Sequence, residues 1–510
     1  MALLLGIDIG TSSAKAVLFN ADTGQLVAVA GREYPIHTPT PDAAEQDPDD
    51  WWQAVIEVVQ RVTTLADRRD IAAIGFSGQM HGVVLLDTAG APLHPAIIWA
   101  DQRSAAASAD LIARVSVERF TALAGTLPAA GFMGPTLRWL SRHRPVLLDQ
   151  ASKVVLPKDY VRLKLVGEIA TDISDAAATA LFNISQRSWS AELIEAAELT
   201  ESLFPSVLES AQVAGTLRKD AAAALGLRPG IPVVTGCADQ PAQAIACGLI
   251  VPGAASVTTG TGGQVFVPLA PPSTGPVPTD TRLHVFNHAV PDLWYVLGAI
   301  LSAGLALRWL RRITGLEKQP DAYSLLSAEA AAVPPGANGL AFLPYLLGER
   351  TPHMDPLARG CFIGLSYSHE RGHLARAVME GVAFALRQAL EISQELTGPL
   401  NTLIGSGGGI ESSVWRQIQT DVFGLALRKS LLTEQAGVGA ALLAGVGAGV
   451  YQDLKDACAH CVQLDQPTEP DPKRHRLYSD LYNQYCQLYP LLRSTFHWHA
   501  NRVIESDSTN

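Results

Sequence analysis

The chain opens on short apolar runs separated by turn residues. Leu3–Ile9 is apolar and short, Ala14–Asn20 follows a Gly-Thr-Ser-Ser turn, and Gln25–Ala30 follows Asp22-Thr23-Gly24. That spacing predicts three strands joined by tight turns. Asp47 then precedes Pro48, and an aspartate cap with proline in the first turn predicts a helix running to about Ala66. Ile71–Phe76 predicts a strand that ends on Ser77-Gly78-Gln79-Met80-His81-Gly82, with Gly82–Asp87 as its expected partner. From there to about Leu227 the pattern is mostly helical, with breaks at Pro and Gly. Pro232–Thr235 is a strand feeding Gly236-Cys237-Ala238-Asp239-Gln240-Pro241 and a helix.

After Pro252-Gly253 the same order recurs. Ala255–Thr259 is a strand, Gly260-Thr261-Gly262-Gly263 a turn, and Gln264–Val267 a second strand. A strand–turn–strand unit repeated about 250 residues on points to two related lobes. Pro268–Asp280 contains five prolines and reads as a loop. Leu374, Val378, Val382, Leu386 and Leu390 recur at helical spacing within a long helix from about His369 to Leu396. Thr402–Gly405 is a short strand entering Ser406-Gly407-Gly408-Gly409, and a helix runs from about Ser412 to Gly424. Leu293–Leu307 and Ala436–Val450 are long and apolar but shorter than the ~20 residues of a membrane span, so both read as buried helices.

Composition narrows the function classes. The chain has 510 residues, more than one hydrophobic core supports, so about two to four domains are expected. Its net charge of −11 gives no general footprint for nucleic acid. An anionic substrate therefore needs locally placed donors. Six cysteines in this length form no disulfide framework and read as reduced thiols of a cytoplasmic protein. Cys458, His460 and Cys461 have partial zinc spacing, but no second pair follows at ligand distance, so a packed helix is the reading preferred. The start lacks the basic opening of a signal peptide.

Three loops have the chemistry of phosphate binding. Gly10-Thr11-Ser12-Ser13 follows an apolar strand carrying Asp8. Glycine lets backbone N–H groups approach an anion, hydroxyls add donors, and a strand-end aspartate can hold Mg²⁺ through water. A plain hairpin with a polar turn explains the same residues. Gly260-Thr261-Gly262-Gly263 offers the same groups in the second half, and two such turns could clamp phosphates from either side of a cleft. Ser406-Gly407-Gly408-Gly409 could lie against a purine or ribose, or be a turn packed on a sheet. It has neither a dinucleotide fingerprint nor a P-loop lysine. Asp239 is placed either to cap a helix or to act as general base on a hydroxyl. His81 either donates to a hydroxyl or completes a local network.

Several motifs together resemble the FGGY carbohydrate kinases over nearly the whole chain, from Leu3 to about Pro490. They are Gly6-Ile7-Asp8-Ile9-Gly10-Thr11-Ser12, Gly78-Gln79-Met80-His81-Gly82, Trp99-Ala100-Asp101-Gln102-Arg103 and Leu156-Pro157-Lys158-Asp159-Tyr160. To these are added Phe342-Leu343-Pro344-Tyr345 with Gly348-Glu349-Arg350-Thr351-Pro352-His353, and Gly360–Leu365 with His373-Leu374 and Ala377–Glu380 downstream. The resemblance implies an α/β protein with two ribonuclease H-like lobes of the actin/Hsp70-like ATPase fold around a central cleft, here residues 1–247 and 248–510. It implies a sugar held by Gln79, Met80, His81, Trp99, Asp101 and Asp239, with Asp239 as the catalytic base. Phosphates fall to Gly10, Thr11, Ser12, Lys15, Gly260, Thr261 and Gly262. Adenosine falls to Gly408, Gly409 and Ser412, with Gln435–Gly439 behind, and Mg²⁺ to Asp8. ATP and a small sugar are the expected partners, with no nucleic acid and no membrane, and a homodimer is admitted.

The members it is most similar to phosphorylate D-xylulose to D-xylulose 5-phosphate. Four positions depart from their pattern. Gln240 and Ala100 stand where asparagine is frequent, Thr136 where lysine is usual, and Glu411 lies in a lengthened glycine loop. The first two leave another ketose, such as ribulose, or a glycerol-like polyol as alternative acceptors. An ATPase of the same fold with no sugar acceptor is the alternative from a different class.

Overall fold

The computed structural model describes residues 2–65 and 67–507. Two compact units form, and neither is one stretch of chain. The first gathers Met1–Val251, Leu269–Tyr295 and Leu431–Gln463; the second gathers Pro252–Pro268, Val296–Ser430 and Leu464–Asn510. Of the expected lobe ends, Met1 and residues 508–510 lie outside the described residues.

In the first unit, Leu3–Ile9 pairs antiparallel with Ser13–Asn20, which pairs antiparallel with Gln25–Glu33. On its other edge Leu3–Ile9 runs parallel to Ile71–Gly78, and Ile71–Gly78 runs parallel to Pro232–Val234 and Cys237–Ala238. Apolar side chains fill both faces of Leu3–Ile9, as a central strand requires. The Pro48–Val62 helix covers one face with Trp51, Ala54, Val55, Val58, Val59 and Val62, and the Asp47 carboxylate accepts from the Asp49 N–H at 2.9 Å. A 3₁₀ turn, Thr63–Leu65, closes it, and the expected end at Ala66 lies outside the described residues.

The Gln435–Gly447 helix covers the other face, as the Ala436–Val450 run predicts. Its glycines and alanines permit backbone-to-backbone contact. A Cβ on Gly6 would stand 1.9 Å from the Gly437 carbonyl oxygen. No side chain fits there, so this packing requires glycine at position 6.

In the second unit the strand Ala254–Thr259 pairs antiparallel with Gly263–Leu269 and parallel with Thr402–Ser406, which in turn runs parallel to Leu427–Lys429. The hairpin followed by parallel strands thus occurs once per unit. Helix Arg371–Thr397 buries the predicted stripe of Val378, Val382, Leu386 and Leu390.

Two expectations fail. Leu293–Leu307 is not one buried helix but the strand Trp294–Ile300 followed by the helix Gly304–Ile313. All seven strand residues are buried, and a continuously apolar run carries no period that separates strand from helix. Val84–Leu86, in the Gly82–Asp87 segment, pairs with Lys153–Val155 rather than with Ile71–Gly78, because the edges of Ile71–Gly78 are taken by parallel strands. Among the described residues no helix is long and apolar enough to cross a membrane.

Candidate active site

Register alone collects the first group of polar residues. Asp8 pairs with Ser77, and Ser77 with Cys237, so Asp8, Ser77 and Asp239 cluster at the carboxyl ends of parallel strands. That is where open α/β sheets place ligands. The Asp8 Oδ1 accepts the Ser77 hydroxyl at 2.5 Å. Its Oδ2 lies 3.7 Å from where a Gly10 Cβ would be, so it faces the first glycine turn. Burial raises the Asp8 pKa, against the opposing pull of Ser77 and Lys15.

Asp239 is half-buried and begins the helix Asp239–Ala246. Loss of hydration and, second, the charge of Asp8 push its pKa up to about 7, while the N–H groups at the helix start pull the other way. A carboxylate with that value exchanges a proton readily at neutral pH.

The turn beside it is braced from below. Tyr34 donates its hydroxyl to the Gly10 carbonyl, and the Gln46 amide donates to the Thr11 carbonyl at 2.7 Å. The Trp99 indole N–H donates to the Thr11 hydroxyl at 2.9 Å. Ser12 is exposed on the turn. Lys15 is held by Glu434 at 2.7 Å, a partner that has no sequence signal because it lies 419 positions away.

His81 adopts a left-handed backbone with φ of 72°, uncommon for a residue other than glycine. Its ring stacks on Phe132 with centroids 3.8 Å apart. Its Nδ1 lies 2.7 Å from the Ala178 carbonyl oxygen and must donate to it, which leaves Nε2 the acceptor in the neutral ring. Met80 is buried beside it. Gln79 and Asp101 point their polar atoms into the protein instead. The Gln79 amide donates to Gln46 at 2.9 Å, and Asp101 accepts from the Ala44 N–H at 2.9 Å and from Arg103 at 2.8 Å.

The second unit holds a cavity of about 750 Å³ lined by Gly260, Thr261, Gly408, Gly409 and Ser412. Those five come from two segments distant in sequence. Gly262 is not among them; a Cβ there would meet the Ile300 carbonyl oxygen at 2.9 Å. The turn is fastened to the next helix, since Gly304 N–H donates to the Gly260 carbonyl at 2.7 Å and Ala303 and Leu305 N–H groups to the Thr261 carbonyl at 3.0 Å. Ser412 caps Ser413–Phe423 and lies 3.1 Å from the Ser327 hydroxyl. Arg308, Tyr323 and Ser327 also line this cavity. They stand on helices whose pattern predicts only packing, so no signal in the sequence points to them.

Residues 3–246 match the N-terminal domain of the FGGY family of carbohydrate kinases and residues 255–448 its C-terminal domain. The chain belongs to that family: it is an α/β carbohydrate kinase of the actin/Hsp70-like ATPase fold. It is 35% identical to a xylulose kinase from Escherichia coli (strain K12) over 491 residues, 96% of this chain and 99% of that one. It superposes on the crystal structure of a xylulose kinase from Rhodospirillum rubrum with a TM-score of 0.90 at 34% identity, covering 97% of this chain and 100% of that one. A gluconokinase from Bacillus subtilis is 31% identical over 505 residues, 95% of this chain and 97% of that one.

Proposed function

We propose that this kinase transfers the γ-phosphoryl group of ATP to the terminal hydroxyl of D-xylulose, giving D-xylulose 5-phosphate. The observation that carries the reaction is Asp239, a carboxyl with its pKa near 7 at the ends of the parallel strands. The sugar assignment rests on the similarity to xylulose kinases along nearly the full chain.

Asp239 accepts the hydroxyl proton as that oxygen attacks the γ-phosphorus. His81, held through its Nδ1 at the Ala178 carbonyl, stands on the sugar side, and the Trp99 indole flanks the sugar while its N–H holds the Thr11 hydroxyl in place. Backbone N–H groups of Gly10–Ser12, together with Lys15, hold phosphate oxygens, and the Gly260–Gly262 turn supplies further donors. Gly408, Gly409 and Ser412 take the adenosine, with Arg308 and Tyr323 on the walls of the same cavity.

The residues present fit Mg²⁺. Asp8 offers a hard oxygen facing the phosphate turn, and it and Asp239 are both raised by burial, a strain that a cation relieves. Asp8 would hold the ion, which when bound offsets charge on the phosphate oxygens.

A panel of ketoses, polyols and aldonates in an ADP-release assay tests this, with Asp239→Asn beside the unaltered enzyme. D-xylulose is expected to give the highest kcat/KM, and Asp239→Asn to lose ~10²–10⁴-fold in turnover. No D-xylulose turnover above background would exclude the acceptor, and near-normal turnover in the variant would place the base elsewhere. Ala100 and Gln240 favour a second reading, another ketose or polyol as acceptor, which the same panel decides.

A further inference from the structure

Beneath Asp239 lies a set of charges that no substrate reaches. Lys158, Asp159, Arg162, Asp172, Ser174 and Asp175 are all buried. The Lys158 Nζ lies 2.7 Å from Asp159, 2.9 Å from Asp172 and 3.2 Å from Asp175. Arg162 donates to Asp159 at 2.9 Å. Burial raises the Asp175 pKa well above the usual carboxylate range, against the pull of Lys158. Three carboxyls thus surround one lysine and one arginine. Ionic groups packed this deeply are costly to bury and stabilise little over an apolar core, so stability is a weak reason for their presence.

What the cluster does hold is the strand end leading to Asp239. Arg162 donates to the Thr235 carbonyl at 2.8 Å. The Asp172 Oδ2 accepts the hydroxyls of Ser174 at 2.6 Å and Ser210 at 2.8 Å. Its Oδ1 is the atom beside Lys158. Because the Ser174 proton is committed to Asp172, the same oxygen presents a lone pair to the N–H of Ala238, 3.1 Å away. Ala238 is the cap of the helix whose first residue is Asp239.

We propose that Ser174, oriented by Asp172 and Lys158, is a positioning residue for the reaction: it fixes the Ala238 amide and so the direction in which the Asp239 carboxyl meets the sugar hydroxyl. This rests on Asp239 being the base. Ser210 supplies the contrast, since it donates to the same Asp172 oxygen while its hydroxyl makes no contact with Ala238 among the described hydrogen bonds.

The test compares Ser174→Ala and Ser210→Ala, with thermal unfolding and full kinetics on each. Ser174→Ala is expected to lower kcat about 10-fold or more, as a small misplacement of a reacting group does. Its KM values for sugar and ATP should stay within about twofold, the split that marks loss of a contact made in the transition state. Ser210→Ala should keep kcat within about twofold. A wild-type kcat in Ser174→Ala, or equal kcat losses in the two variants, overturns the proposal. Asp172→Asn leaves Ser174 in place while removing its anionic partner, and the same kcat-only loss is expected there; if Ser174→Ala does not fold, a wild-type kcat in Asp172→Asn overturns the proposal on its own. Asp239→Asn assayed alongside separates the two claims: activity there sinks the base, whereas an inactive Asp239→Asn with an unimpaired Ser174→Ala sinks only the positioning role.

Discussion

Asp239 carries two opposite consequences of pH. Its folded-state pKa, about 7, exceeds the ordinary value of 3.8, with burial as the main cause and the charge of Asp8 the second. Between those values the folded chain keeps a proton that the unfolded chain has released, so this group's contribution to stability declines as pH rises from about 4 to about 7. Activity runs the other way, because a base must be ionised to accept a proton. We expect kcat/KM to climb as pH rises from about 5.5 and to level off above about 7, and a flat profile to about pH 8 would remove Asp239 as the base. Asp8, His81 and Asp239 stand at strand ends marked by an apolar run giving way to polar residues. The sequence could not assign direction: Gln79 and Asp101 lie in motifs as distinctive, yet their polar atoms turn inward to Gln46 and to Ala44 and Arg103. Side-chain direction is set by neighbours far away in sequence.

At the scale of elements, the contact of Gln435–Gly447 with the central strands is made by backbone on backbone. Gly6→Ala would drive a methyl into the Gly437 carbonyl, since the added carbon lies at 1.9 Å. Overpacking of this kind costs about 1–3 kcal/mol, and here the obstructing atoms belong to a helix rather than a flexible side chain. Urea or thermal unfolding should place Gly6→Ala well below the unaltered chain; an unchanged midpoint would mean that the helix shifts without penalty. The Gly/Ala-rich run at Ala436–Val450 was legible as a buried helix, because helix is the state in which such residues pack closely. Leu293–Leu307 was not, since Ser302 alone breaks the apolar run and one polar position sets no period, and strand pairing decided its first half. The partner of Val84–Leu86 was missed for a similar reason: Lys153–Val155 lies some 70 residues on, and nothing local selects it.

For the whole molecule, length and two copies of a strand–turn–strand pattern pointed to two related lobes, the acidic balance meant that an anionic substrate needs local donors, and the motifs taken together resembled a carbohydrate kinase family. The two glycine turns with their flanking strands and the caps at Asp47 and Ser412 are local properties, written in neighbouring residues by backbone sterics and hydrogen bonding. Other features were decided only by the folded chain. Residues 269–295 and 431–463 leave their places in sequence to join the first compact unit. Glu434 thereby reaches Lys15, and in the second unit Arg308, Tyr323 and Ser327 join Gly408 and Gly409 around one cavity. The buried charges from Lys158 to Asp175 acquire a role only where Ser174 meets Ala238. Turns and periods depend on residues a few positions apart, so the sequence by itself determined them. Ion pairs, cavity walls and the raised pKa of Asp239 depend on what is excluded from water and what charge lies opposite, and only the tertiary structure decided those.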